Sequence, residues 1–152
     1  MLSPSTPAPE DLAMTPSAIA AIRADFAAVA PDADGFATEF YARLFGIDPA
    51  LRPLFPTDLA PQRKKLTQAL AMVVASLDRL ETMTETLRAL GRRHGGYGVE
   101  AGHYAAVGEA LLATLEARVE AFGDRNRAAW GAAYAALSDI MIAAAAETAV
   151  AA

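Results

Sequence analysis

At 152 residues the chain has the length of one ordinary domain, enough to bury roughly 68–70% of the surface its unfolded form exposes. Hydrophobic residues make up 54% but aromatics only 7%, and the excess is alanine, the strongest helix former, so the chain reads as all-helical. A net charge of −5 excludes a phosphate backbone as partner, and the lack of cysteine excludes disulfides, thiolate metal sites and thioether-linked cofactors; any cofactor must be held non-covalently by nitrogen or oxygen ligands.

Residues 1–14, MLSPSTPAPEDLAM, carry no positive charge and no apolar run of the length a secretory signal needs. They read as a flexible arm before one domain, residues 15–152, of a cytoplasmic protein. Thr15 followed by Pro16 is a helix start, a capping hydroxyl and then a proline that loses nothing in the first turn. That helix runs to about Val29, Pro31 ends it, and Asp32 or Asp34 can cap a second helix reaching Phe45. Asp48-Pro49 opens the turn DPALRPLFP, which Pro53 and Pro56 keep from becoming a long helix; Leu51, Leu54 and Phe55 are its apolar contacts. From Pro61, the spacing of Leu66, Leu70, Val73, Val74, Leu77 and Leu80 predicts one buried helical face. Leu87 and Leu90 mark a shorter helix ending at His94-Gly95-Gly96. After Val99 a long helix sets Tyr104, Val107, Leu111, Leu115 and Val119 on its apolar side, and Asp124 caps a last helix that buries Trp130, Tyr134, Leu137 and Met141. The total is about seven helical segments, with no strand signal and no repeat. The closing IMIAAAAETAVAA is apolar but shorter than the ~20 residues a bilayer requires, and Glu147 interrupts it; the expectation is a packed helix and no membrane span.

Both histidines fall in LGRRHGGYGVEAGHYAAVG, residues 90–108, where one helix ends and another begins. Taken alone, Arg92, Arg93 and His94 form a basic last turn that suits the negative end of the helix dipole ahead of a glycine cap. His103 is a polar residue in a first helical turn, and a two-histidine metal site has only Glu100 as an attendant carboxylate. Spacing by itself leaves these readings open.

The order of elements narrows them. A proline-rich corner, a long apolar helix, a shorter helix ending in histidine and two long closing helices resemble the globin fold, in which helices cross at about 50° around a haem pocket. Through FYARLF, DPALRPLF, QRKKL, GRRHGGYGV, GHYAAVG and WGAAY, the stretch from about Phe36 to Met141 is similar to the haem domain of bacterial flavohaemoglobins and to the single-domain bacterial haemoglobins of the Vitreoscilla type. The resemblance implies a non-covalent b-type haem with His94 as proximal iron ligand, Tyr104 as the tyrosine that hydrogen-bonds the proximal imidazole, and Phe55 packed on the porphyrin. It implies Tyr41, Gln62 and Leu66 on the distal side, with Gln62 and Leu66 four apart on one helix face, and a glycine turn that brings Val99 back under the haem. The implied function is reversible binding of O2, CO and NO, for oxygen transport or storage, or for nitric oxide detoxification as a dioxygenase fed by an external reductase. The other reading is a haem-based gas or redox sensor, or a haem-free helical interaction module.

Three departures from the family pattern carry expectations. The link PTDLAP between Phe55 and Gln62 is short, which predicts a tight corner and shifted distal residues. The family's carboxylate for the proximal tyrosine should stand fifteen residues after Trp130, where this chain has Ala145; Glu147, two residues on and about 200° around the helix, should point elsewhere. The 152 residues contain no flavin or nicotinamide segment, so electrons are expected from a separate protein.

Overall fold

The computed structural model describes residues 14–96 and 98–151, with side chains described as far as Glu147. All of the expected arm except Met14 lies outside the described residues. Six α-helices follow in order: α1 (Pro16–Val29), α2 (Ala33–Ile47), α3 (Ala60–Ala75), α4 (Thr84–Gly96), α5 (His103–Arg118) and α6 (Asp124–Ala151). Short 3-10 turns over Ala30–Asp32, Pro49–Leu54 and Leu77–Met83 join them, and no strand occurs among the described residues.

Local chemistry sets most of the boundaries. The Thr15 hydroxyl accepts from the Ala18 N–H at 3.1 Å with Pro16 in the first turn, and the Asp32 carboxylate accepts from the Gly35 N–H at 3.2 Å. Asp48 starts the proline corner by accepting from the Ala50 N–H at 3.2 Å, and Pro53 inside that turn prevents its extension. At the last helix the structure corrects the sequence reading. Asp124 is the first helical residue, not its cap; the Gly123 carbonyl accepts from the Arg127 N–H at 3.0 Å, and the Asn126 side chain accepts from the Gly123 N–H at 3.2 Å.

The run from Pro61 to Leu80 is likewise not one helix. It stops at Ala75, and Arg79 is non-helical at φ −150°, ψ 45° within the following 3-10 stretch. Arg23 of α1 makes this end tolerable by donating from Nε to the Val74 carbonyl at 3.2 Å and from Nη2 to the Ala75 carbonyl at 3.1 Å, groups that a helix end leaves unpaired. Leu77 and Leu80 are buried from the 3-10 stretch, whereas within α3 only Val74 is fully buried. Leu66, Leu70 and Val73 remain half-buried, so the apolar stripe of α3 is not closed over by the rest of the protein.

The core lies among the other helices. α4 and α6 make the most extensive packing, α2 lies on α5, and α1 lies on α6. Glycine permits the closest approach, since a Cβ on Gly91 would collide with the Met141 backbone. The Asp25 carboxylate, only 5% exposed, accepts from Trp130 Nε1 at 3.0 Å and from Asn126 Nδ2 at 2.9 and 3.1 Å, tying α1 to α6. By length and composition α6 could cross a membrane. In this fold it packs on α4, α1 and α5 and buries Trp130, Ala133, Met141 and Ala144.

Candidate functional site

The last turn of α4 carries His94, half-buried. Its Nδ1 lies 2.8 Å from the Leu90 carbonyl oxygen one turn back. A carbonyl can only accept, so Nδ1 holds the proton and Nε2 bears the lone pair of the neutral ring. The chain then reverses: the Gly98 N–H donates to the Gly95 carbonyl and the Val99 N–H to the His94 carbonyl, each at 3.1 Å. Gly98 has φ +87°, a conformation that L side chains rarely adopt, which explains glycine there and delivers Val99 towards α5. His103 serves a different end. Its Nδ1 accepts from the Glu100 N–H at 2.9 Å, closing the turn into α5.

Tyr104 follows on α5. Its carbonyl accepts from the Tyr134 hydroxyl at 2.7 Å, while its own hydroxyl oxygen is buried without a partner among the described residues. Burial pushes both phenols above their ordinary pKa, and the neighbouring Tyr104 adds to the shift at Tyr134. The hydrogen bond from Tyr104 to the His94 imidazole that the resemblance implied is therefore not made, since His94 Nδ1 is taken by the Leu90 carbonyl. Ala145 abuts the turn after His94, its Cβ 3.2 Å from where a Cβ on Gly95 would stand, and alanine offers no acceptor. Glu147 ion-pairs with Arg88 of α4 instead.

A second cluster forms where α2 meets the start of α3. Tyr41, 5% exposed, stands edge-on to Phe40 at 5.0 Å and Phe55 at 5.6 Å and stacks on Phe45 at 5.9 Å. Burial raises the Tyr41 pKa, and the polar Gln62 side chain beside it acts in the opposite, weaker sense. A glutamine amide can donate to a phenol oxygen as well as accept from it. The short corner therefore still brings Gln62 to Tyr41. Leu66 stands one turn further along α3, half-buried.

The structure thus gathers Tyr41, Gln62 and Phe55 into one cluster and His94, Gly95 and Ala145 into another. Among the described residues no hydrogen bond or ring contact joins the two. Sequence reasoning passed over the arginines beside the first cluster: Arg52 in the proline corner, and Arg63, whose Nε donates to Asp34 of α2 at 2.8 Å. The only signal for Arg52 was a cation placed between Leu51 and Pro53.

No set of three or more His, Cys, Asp or Glu that could hold a metal ion occurs among the described residues. A single imidazole with an uncommitted Nε2, a buried phenol and an uncovered apolar helix face suit a metal that brings its own in-plane ligands, and this donor set fits a porphyrin. By contrast, a groove of about 440 Å³ between α1 and α6 is lined mostly by alanines together with Met14, Thr15, Ser17 and Arg125, and offers no imidazole or phenol.

The class is set by the fold: an all-helical protein whose third helix leaves an apolar stripe uncovered, with a histidine at the exit of the fourth. Comparison gives the family. The globin family model matches residues 38–141, and the chain belongs to the globins. It is 31% identical over 133 residues to a flavohemoprotein of Bordetella pertussis, covering 85% of this chain and 33% of that protein. A flavohemoprotein of Rhizobium meliloti is 31% identical over 106 residues, 67% of this chain and 26% of that one. The chain spans about a quarter to a third of the length of these curated relatives. Among solved structures, a bacterial globin from Campylobacter jejuni superposes with a TM-score of 0.78 at 23% identity over 89% of this chain and 99% of that one. An engineered carbene transferase from a candidate nitric oxide dioxygenase of Rhodothermus marinus does so at 0.79 and 23%, over 90% and 96%. At that identity the two structures establish the shared fold.

Proposed function

We propose that residues 15–152 form a globin domain that holds a non-covalent b-type haem with His94 as its protein ligand and binds O2 reversibly, with CO and NO as further ligands. The observation that carries this reading is the commitment of the His94 Nδ1 proton to the Leu90 carbonyl, which leaves Nε2 as a fixed-direction donor at the end of α4. Leu66 and Phe55 would supply apolar contact on the gas-binding side, and Val99 on the His94 side. Haem iron, when bound, supplies the reversible coordination of a diatomic gas. The chain supplies selectivity. The Tyr41 hydroxyl, kept protonated by burial and with Gln62 beside it, can donate to a ligand that accumulates negative charge, favouring O2 over the less polar CO.

On the proximal side, His94 is bonded to a neutral carbonyl and Tyr104 lacks a carboxylate, so little negative charge is passed to the imidazole. That favours gas binding over peroxide cleavage. Given one electron from a reductase outside these 152 residues, the same pocket would convert one NO and one O2 to nitrate; similarity to proteins named flavohemoprotein supports this reaction. A cytoplasmic site, with its reducing supply, suits both roles. The test is the absorption spectrum of the purified, haem-supplied protein in its oxidised, dithionite-reduced and CO-treated forms. A five-coordinate reduced spectrum that sharpens with CO is expected, and a protein that takes up no haem overturns the reading. Nitric oxide consumption with and without an added reductase then separates the dioxygenase from the oxygen carrier.

A further inference from the structure

One side chain holds the corner through which the chain enters α3. The Arg52 guanidinium donates from Nη1 to the carbonyl oxygens of Phe55 at 3.3 Å and Pro56 at 3.0 Å, and from Nη2 to that of Thr57 at 3.1 Å. Its Cζ sits 5.3 Å from the centre of the Phe45 ring. Between the end of the 3-10 turn and Ala60 there is no helix to take up these carbonyls, and Pro56 has no N–H to offer a turn partner. One planar fork of donors satisfies three successive acceptors, a task a lysine ammonium cannot repeat.

What the fork fixes is close to the ligand side of the pocket. Phe55 packs on Tyr41 at 5.6 Å and on Phe45 at 5.4 Å, and Gln62 lies five residues beyond Thr57 in the first turn of α3. That turn is also held by the Asp58 carboxylate, which accepts from the Ala60 N–H at 3.0 Å, and by Arg63 to Asp34, which ends on a carboxylate whose side chain is 74% exposed and contributes little. The path of residues 55–57 leads straight into the turn that carries Gln62 and sets the Phe55 ring against Tyr41. We propose that Arg52 is a positioning residue for the Tyr41–Gln62 pair: by holding the carbonyls of residues 55–57 it keeps Gln62 on Tyr41 and the phenol proton aimed at the bound gas. The gas-release part of this proposal rests on the haem reading; the clamp itself does not.

Arg52→Met keeps the aliphatic stem and removes every donor, while Arg52→Lys keeps a cation over the Phe45 ring and loses the fork. In the protein as purified, amide hydrogen exchange over residues 54–62 should accelerate in Arg52→Met, with α1 and α6 unchanged. The O2 dissociation rate should rise roughly two- to tenfold, the worth of the Gln62–Tyr41 hydrogen bond. Arg52→Lys should recover part of both effects, and it carries the comparison if Arg52→Met does not fold. In a Tyr41→Phe background Arg52→Met should add nothing to O2 release, since its effect runs through that hydroxyl. Unchanged exchange over residues 54–62 overturns the clamp, and unchanged O2 release, or an equal increment without the Tyr41 hydroxyl, overturns the positioning role. Should the protein take up no haem, the haem reading fails while the exchange measurement still decides the clamp.

Discussion

Replacing Tyr41 by Phe isolates one hydroxyl. The ring contacts with Phe40, Phe45 and Phe55 survive, because none of them uses the oxygen, and at 5% exposure no new surface is uncovered. Gln62 loses a polar neighbour but is half-buried and can turn to water. On the proposed reading, what disappears is a protonated donor to a strongly polarised ligand, a bond worth roughly 1.5–3 kcal/mol. Every 1.4 kcal/mol is about tenfold in a rate or equilibrium constant, so O2 release should quicken roughly ten- to a hundredfold. The association rate should barely change, since the bond exists only after the gas arrives, and CO release should stay within about twofold because CO gathers less charge. Stopped-flow displacement of O2 by excess CO reads the first quantity and displacement of CO by NO the second. Unchanged O2 release would refute the reasoning, and so would an equal acceleration of both gases, which would report a loosened pocket and not a lost donor.

On the His94 side, Ala145→Glu should give the orphaned Tyr104 hydroxyl an acceptor, lower the haem midpoint potential and raise turnover with hydrogen peroxide by roughly tenfold or more; no change in either would show that the carboxylate does not reach. Asp25→Ala strips Trp130 and Asn126 of their shared acceptor and should cost about 2–4 kcal/mol in chemical denaturation, with a loss below about 1 kcal/mol contradicting the network. Hydrogen bonds from Arg118 hold the Asp32 and Glu39 carboxyls below their ordinary 3.8 and 4.5. A lowered folded pKa stabilises above the unfolded value and is lost as pH falls through the folded one, so stability should decline below pH 4.5, and Arg118→Met should flatten that decline in acid titrations of unfolding.

Much of this was legible because the signals are local. Thr15-Pro16, Asp32 and the prolines at 49, 53 and 56 act within a few residues of themselves, and the structure keeps their boundaries. Apolar spacing misled where a long-range contact intervened: Leu77 and Leu80 continue the periodicity of α3, but Arg23 takes the carbonyls of Val74 and Ala75 and the chain kinks at Arg79. Periodicity also cannot tell a stripe covered by protein from one left partly open, and Leu66, Leu70 and Val73 stay half-buried. At the site, Tyr41, Gln62 and His94 came from motif resemblance, not from spacing. Asp25, whose partner Trp130 is 105 residues away, and Arg52, which bonds only to backbone, leave no pattern in side-chain types for a reader to find.

Haem retention in paired histidine variants tests the central claim most directly. His94 has an uncommitted Nε2 at the exit of α4, whereas His103 is occupied in capping the turn into α5. His94→Ala should lose haem on a desalting column, or transfer it rapidly to an apomyoglobin acceptor, and should lack the parent's CO-bound spectrum. His103→Ala should retain haem and that spectrum. A His94→Ala protein that keeps its haem and a normal CO-bound spectrum would contradict the assignment.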